Sequence, residues 1–283
     1  TAAATTRYRV NLFKQERGLA AAFRPIKSQV PTLEDLNLPA DFHHLTRHHS
    51  GLVLMVGTAG SGKSTTLVAL IEQLNRTTAK HIITLEDPIE YTYVPRGCLI
   101  HQREVGTHVA DFSTGLRAAL RESPDVILVG EMRDRETIAA ALTAAETGHL
   151  VLSTLHSGSA AMAIDRVVDV FPEHQQQQVR YQLADVLRAV VSQVLLPSRG
   201  PSLRVPAYQK LVVTPAVSTK IRENRGHQME TELQKGAANG MVTLERSLAR
   251  LVQQGALSFE VAEAVAPDPV LLTEMVQRSE TLR

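Results

Sequence analysis

Residues 57–64 read Gly57, Thr58, Ala59, Gly60, Ser61, Gly62, Lys63 and Ser64, the pattern GxxxxGK[ST]. Glycines at these positions let the backbone curl until successive N–H groups converge on one point, which is how a main chain grips phosphate oxygens. An apolar run at 52–56 precedes the motif and a helical run at 65–74 follows it, so the positive end of a helix reinforces the cradle. Lys63 is expected to neutralise the β and γ phosphates and Ser64 to offer its hydroxyl to Mg²⁺, with Thr65 continuing the binding set into the helix. The ligand pair expected here is ATP with Mg²⁺.

Hydrolysis needs a water activated beside the γ phosphate, and two acidic clusters stand at the ends of apolar runs. The run at 125–129 ends in Gly130 and Glu131, where P-loop ATPases place a Mg²⁺ carboxylate and a water-positioning carboxylate. Gly130 occupies the place usually held by Asp. Glu131 is therefore expected either to orient the attacking water or to reach Mg²⁺ through a coordinated water, and the sequence leaves both roles open. The run at 81–85 ends in Glu86, Asp87, Pro88, Ile89 and Glu90, which makes Glu86 and Glu90 second candidates for general base. His149 and His156 bracket the apolar run 151–155, and one of them is placed to sense the γ phosphate by a hydrogen bond. The spacing of His43, His44, His48 and His49 permits a metal site on a helix, but ordinary surface histidines are the expected reading.

Such groups need elements to hold them. From Gly51 onward, short apolar runs at 52–56, 81–85, 126–129 and 150–155 alternate with helical stretches, the signature of a parallel sheet wrapped by helices. Asp111 reads as the N-cap of one helix, and Gly148 and Gly255 as the ends of two others. Asp268 with Pro269 reads as a cap and first-turn pair. Near the start, Tyr8, Val10 and Leu12 alternate with Arg7, Arg9 and Asn11, a half-buried strand whose partner returns at 19–26 after a turn at 15–18. A lone hairpin is marginal in water, so it is expected to belong to a larger sheet or to pack on something else. The expected division is an N-terminal segment at 1–30, a proline-rich linker at 31–40 and a domain at 41–283.

Composition removes several classes of function. Hydrophobic residues make up 43% and charged residues 21% of the 283, which is ordinary for a folded globular chain and excludes wholesale disorder. With 30 basic against 29 acidic side chains there is no global field to draw the protein onto a polyanion, so direct nucleic acid binding is not expected. The single cysteine, Cys98, forbids an intramolecular disulfide or a multi-cysteine zinc site and fits a reducing compartment. No apolar run reaches the ~18 residues a membrane span requires, and the beginning at Thr1 lacks the pattern of a signal peptide. A cytoplasmic protein is the expectation.

Four segments in this order, GTAGSGKSTT at 57–66, ITLEDPIEY at 83–91, SPDVILVGEMRDRET at 123–137 and TAAETGHLVLSTLHS at 143–157, resemble the secretion traffic ATPases of type II and type IV systems. The similarity runs from about Tyr8 to the C-terminus and is strongest to the pilus-retraction branch, which drives twitching motility. It implies an α/β fold, a RecA-like P-loop ATPase domain beside a short, partial PAS-like N-terminal α+β segment, with nucleotide between them. It further implies a homo-hexamer at the cytoplasmic face of the bacterial inner membrane, acting on a platform protein of the pilus or secretion machine. By motif, Arg9 in RYRVN and Arg24 in AAFRPI match arginines that reach the nucleotide phosphates in such proteins, and the glycine before Glu131 is shared with the family. Extension and type II secretion ATPases usually carry a four-cysteine zinc module, which one cysteine cannot build, so retraction is favoured. The stretch matching the retraction group's AIRNLIRE-like segment has Ser218 and Thr219 in place of its Arg and Asn, which implies altered coupling.

Rival readings share the phosphate loop. A nucleic acid motor would require a locally basic, stacking-rich channel, against which stand the near-neutral charge and only 4% aromatic residues. An assembly or secretion ATPase without the zinc module remains open, as does a kinase or GTPase, although no NKxD-like motif follows the glutamate strand.

Overall fold

A computed structural model describes residues 7–26, 29–200 and 203–280. The chain opens with an antiparallel hairpin of β1 (Arg7–Gln15) and β2 (Gly18–Ile26), joined by a two-residue turn that Gly18 permits with φ +115°. This two-stranded sheet stands apart from the main one and is consistent with the partial N-terminal α+β segment expected. The stretch expected to be a linker does more than connect. Its Leu33 and Leu38 are buried in the core under the phosphate-loop helix, followed by a 3-10 turn at Ala40–Thr46 that buries Phe42.

The main sheet has seven strands. They are β3 (Gly51–Val56), β4 (His81–Glu86), β5 (Leu99–Glu104), β6 (Val126–Val129), β7 (Leu150–Leu155), β8 (Leu187–Pro197) and β9 (Arg204–Val212), in the order β5-β4-β6-β7-β3-β8-β9. All pairs are parallel except β8 with β9. The four runs read from sequence are the central strands β3, β4, β6 and β7. Both faces of the sheet are covered, which is why these strands are apolar throughout rather than alternating.

Helices α1 (Lys63–Thr77), α2 (Phe112–Ala119), α3 (Arg135–Glu146), α4 (Ala160–Asp169) and α5 (Glu173–Val186) pack on the sheet. The C-terminal part adds α6 (Pro215–Arg222), α7 (Met229–Lys235), α8 (Leu244–Gln253), α9 (Phe259–Glu263) and α10 (Pro269–Glu280). Side chains of β3 split by the strand period. Leu52, Leu54 and Val56 join the core under α2–α7, while Val53 and Met55 join the core under α1. Each such side chain contributes roughly 1.5–3 kcal/mol by leaving water. Asp111 caps α2 by accepting from Thr114 N, and Asp268 Oδ1 accepts from Leu271 N at the start of α10. Gly148 and Gly255 follow α3 and α8 with φ of +106° and +69°, the left-handed geometry that ends a helix. In α6, Ser218 donates to Ala184 O at 3.0 Å and so fastens α6 to α5.

Candidate functional site

Parallel strands bring their C-terminal ends to one edge, and the loops after β3, β4, β6 and β7 meet there. They enclose a cavity of about 380 Å³ lined by Lys63, Ser64, Glu86, Glu90, Glu131 and His156, among others. One hollow thus gathers the phosphate-loop, both acidic clusters and one of the two histidines.

The phosphate loop holds three glycines at positive φ, Gly57 (+145°), Gly60 (+77°) and Gly62 (+90°), a curl that side-chain-bearing residues resist. Gly62 is also the N-cap of α1, so the loop passes directly into the helix N-terminus. Lys63 is only 6% exposed, and its ammonium donates to Gly57 O at 2.9 Å and Thr58 O at 2.8 Å. Burial pulls its pKa down, while the Glu131 charge pulls the other way. Ser61 Oγ is buried without a hydrogen-bond partner inside this curl, and Ser64 is exposed; Thr65, expected to continue the binding set, lines not this cavity but another of about 860 Å³.

Glu131 follows β6. Its Oε2 accepts from Arg133 Nη2 at 2.7 Å and its Oε1 lies 3.3 Å from His156 Nε2. Burial pushes the carboxyl up, but the Arg133 hydrogen bond and charge, with His156 and Lys63, outweigh it and hold Glu131 below its ordinary range. Its charged form is thereby favoured. Gly130 sits close to β4: a Cβ there would stand 3.2 Å from Leu85 O, which would have to give by a few tenths of an ångström, and in ordinary contact, 3.5 Å, with the Phe112 ring. The Gly130 carbonyl accepts from Thr154 Oγ1 at 2.6 Å, which ties the Glu131 loop to β7.

Glu86 is 8% exposed, and burial raises its pKa despite hydrogen bonds from Thr84 Oγ1 at 2.7 Å and Gln102 Nε2 at 3.1 Å. Glu90 is exposed at the cavity rim. Two neighbouring carboxyls thus differ in environment, one charged and braced by cations and the other pressed toward its neutral form.

His149 stands away from the site. It precedes β7 and therefore stands at the opposite edge of the sheet, where its Nδ1 lies 3.0 Å from Ala144 O, and it takes no part in the cavity. Of the bracketing pair only His156 follows the strand. Arg9 and Arg24 face each other in the hairpin register, and their side chains lie outside the described residues.

Arg133, which lines the cavity beside Glu131, and Gln193 went unread as site residues in the sequence. Gln193 on β8 accepts from Thr66 Oγ1 at 2.9 Å and donates to Ser61 O at 2.7 Å. The adjacent Ser192 donates to Gly158 O at 3.1 Å, just beyond His156. A polar Ser-Gln pair inside the apolar run AVVSQVLL was the available signal.

The oxygen donors here are a serine hydroxyl and carboxylates, the hard set that suits a Mg²⁺–phosphate pair. Among the described residues no group of three or more His, Cys, Asp or Glu is arranged for a metal. The same set, with a buried lysine and an inward helix N-terminus, can bind a triphosphate and place water against it.

Residues 28–272 match the family model described as type II/IV secretion system protein. The chain is 50% identical over 256 residues to a twitching motility protein of Neisseria gonorrhoeae, covering 90% of this chain and 68% of that one. It is also 50% identical over 263 residues to the type IV pilus retractation ATPase PilT of Pseudomonas aeruginosa, covering 93% and 76%. A crystal structure of the pilus retraction motor PilT with bound ADP superposes with a TM-score of 0.88 at 44% identity, over 96% of this chain and 78% of that one.

Proposed function

The chain belongs to the type II/IV secretion system protein family, and from that premise we propose that it is an ATP-hydrolysing motor that powers retraction of a type IV pilus. The observation that carries the reading is the convergence of Lys63, Ser64, Glu131 and His156 on one cavity at the strand ends. Similarity to retraction ATPases over more than nine-tenths of the chain favours retraction over the other members of the family.

In this reading the loop amides of residues 57–62 and the α1 N-terminus bind the triphosphate, and Lys63 exchanges its two loop carbonyls for phosphate oxygens. Glu131, ionised and oriented by Arg133 and His156, accepts a proton from the attacking water. Glu86, kept toward neutrality, is the weaker candidate base, and Glu90 weaker still because it is exposed and solvent screens its charge. His156 carries a hydrogen bond to the γ phosphate. Mg²⁺, held by Ser64 and reached by Glu131 only through a coordinated water, would neutralise charge on the β and γ oxygens. The working assembly is a homo-hexamer at the cytoplasmic face of the inner membrane, where Arg9 and Arg24 reach nucleotide and a platform protein receives the motion. No nucleic acid substrate belongs to this reading.

Deleting the gene in its host tests the direction of work. Filaments that persist but no longer shorten are expected. A bald cell would assign assembly instead, and turnover raised several-fold by single-stranded DNA would assign a nucleic acid motor.

A further inference from the structure

We propose that Gln193 is a positioning residue that holds the phosphate loop in its nucleotide-receiving shape, an inference that rests on the ATPase reading above. The side chain is 2% exposed and comes from β8, 132 residues away in sequence from the loop it touches. Its carboxamide spends both of its functions at once. The Nε2 amine donates to Ser61 O, the third carbonyl before Ser64, and Oε1 accepts from Thr66 Oγ1 on the first turn of α1.

Those two contacts straddle the bend at Gly62, so a single rigid amide plane links the loop to its helix. The main chain of Gln193 closes the other side: a Cβ on Gly57 would collide with its carbonyl oxygen, and one on Gly62 would stand 2.7 Å from its Nε2. The loop is thus seated against β8 at both ends. Turning the Ser61 carbonyl toward Gln193 fixes the peptide plane between Ser61 and Gly62. The N–H of that plane then points away from β8, toward the side where the loop amides converge. A loop free to rotate there would have to be ordered by the nucleotide itself, at the cost of affinity.

Adjacent contacts extend the same brace. Ser192 Oγ donates to Gly158 O, and Gln209, its partner across β9, accepts from Ala160 N at 3.4 Å. One hairpin therefore seats both the phosphate loop and the loop that carries His156.

Titration of the full chain with Mg-ATP, read by fluorescence or calorimetry, tests the proposal, with steady-state turnover and the melting temperature of the nucleotide-free protein measured alongside. Gln193→Leu leaves the Ser61 carbonyl and Thr66 hydroxyl without partners and should weaken ATP binding roughly tenfold, raising KM while kcat at saturation stays within about threefold. Gln193→Glu should weaken it at least as much, because a second oxygen then faces the Ser61 carbonyl. Adding Thr66→Val to Gln193→Leu should cost little more, since both then act on one contact. If Gln193→Leu does not fold, Thr66→Val alone should still weaken binding about threefold. Affinity within twofold of wild type in the folded variants, or a lowered melting temperature with unchanged affinity, overturns the positioning role. Wild-type protein that takes up no Mg-ATP would instead sink the ATPase reading itself.

Discussion

His156 Nε2 stands 3.3 Å from Glu131 Oε1, so the histidine that follows β7 braces the carboxylate that follows β6. The two arrive from strands paired in parallel, and Thr154 Oγ1 on Gly130 O holds their loops together. A histidine in this place orients a base as well as contacting phosphate. His156→Ala should lower kcat about tenfold with a smaller change in KM, measured by phosphate release.

Lys63 lies buried on the carbonyls of Gly57 and Thr58. Lys63→Ala should abolish ATP uptake and turnover together while sparing the fold, because Ala is compatible with the first turn of α1. Calorimetry beside circular dichroism checks both.

Glu86 carries the opposite perturbation to Glu131. Burial raises its pKa, so its ionisation opposes folding: whatever stability its neutral form lends is fully present below the unfolded pKa and is lost as pH rises through the raised, folded value. Glu86→Gln keeps an acceptor for Thr84 and Gln102 and removes that loss. The variant should melt roughly 1–3 °C higher at pH 7 and show little gain at pH 4. Turnover should fall far less than in a Glu131 variant.

Gly130→Asp restores the residue most P-loop ATPases carry, yet here it should gain nothing. Its Cβ stands a tight 3.2 Å from Leu85 O and its carboxylate would add charge beside that carbonyl, so stability should fall by about 1–3 kcal/mol in a denaturant titration, without a rise in turnover.

The central strands were legible because burial on both faces leaves an uninterrupted apolar run, and the phosphate loop because its glycines and lysine have no substitute chemistry. Three strands were not. β5 is an edge strand whose residues include His101, Gln102, Arg103 and Glu104, so it carries no apolar signal. β8 begins where α5 ends, with no glycine or proline between Val186 and Leu187 to mark the change of period. β9 contains Pro206, which reads as a strand breaker but is tolerated on the outermost strand, where one side of the ladder is unpaired. His149 misled for a related reason: a histidine at each end of a strand looks symmetrical in sequence, whereas only the C-terminal end of a parallel strand faces the cavity. Gln193 could not be assigned a partner from sequence because its contact spans 132 residues.

The most direct test of the account is steady-state phosphate release by the purified chain with Mg-ATP, comparing wild type with Glu131→Gln. Mg²⁺-dependent turnover is expected in the wild type and a loss of about a hundredfold or more in the variant, with ATP binding retained. A variant that hydrolyses ATP at the wild-type rate would contradict it.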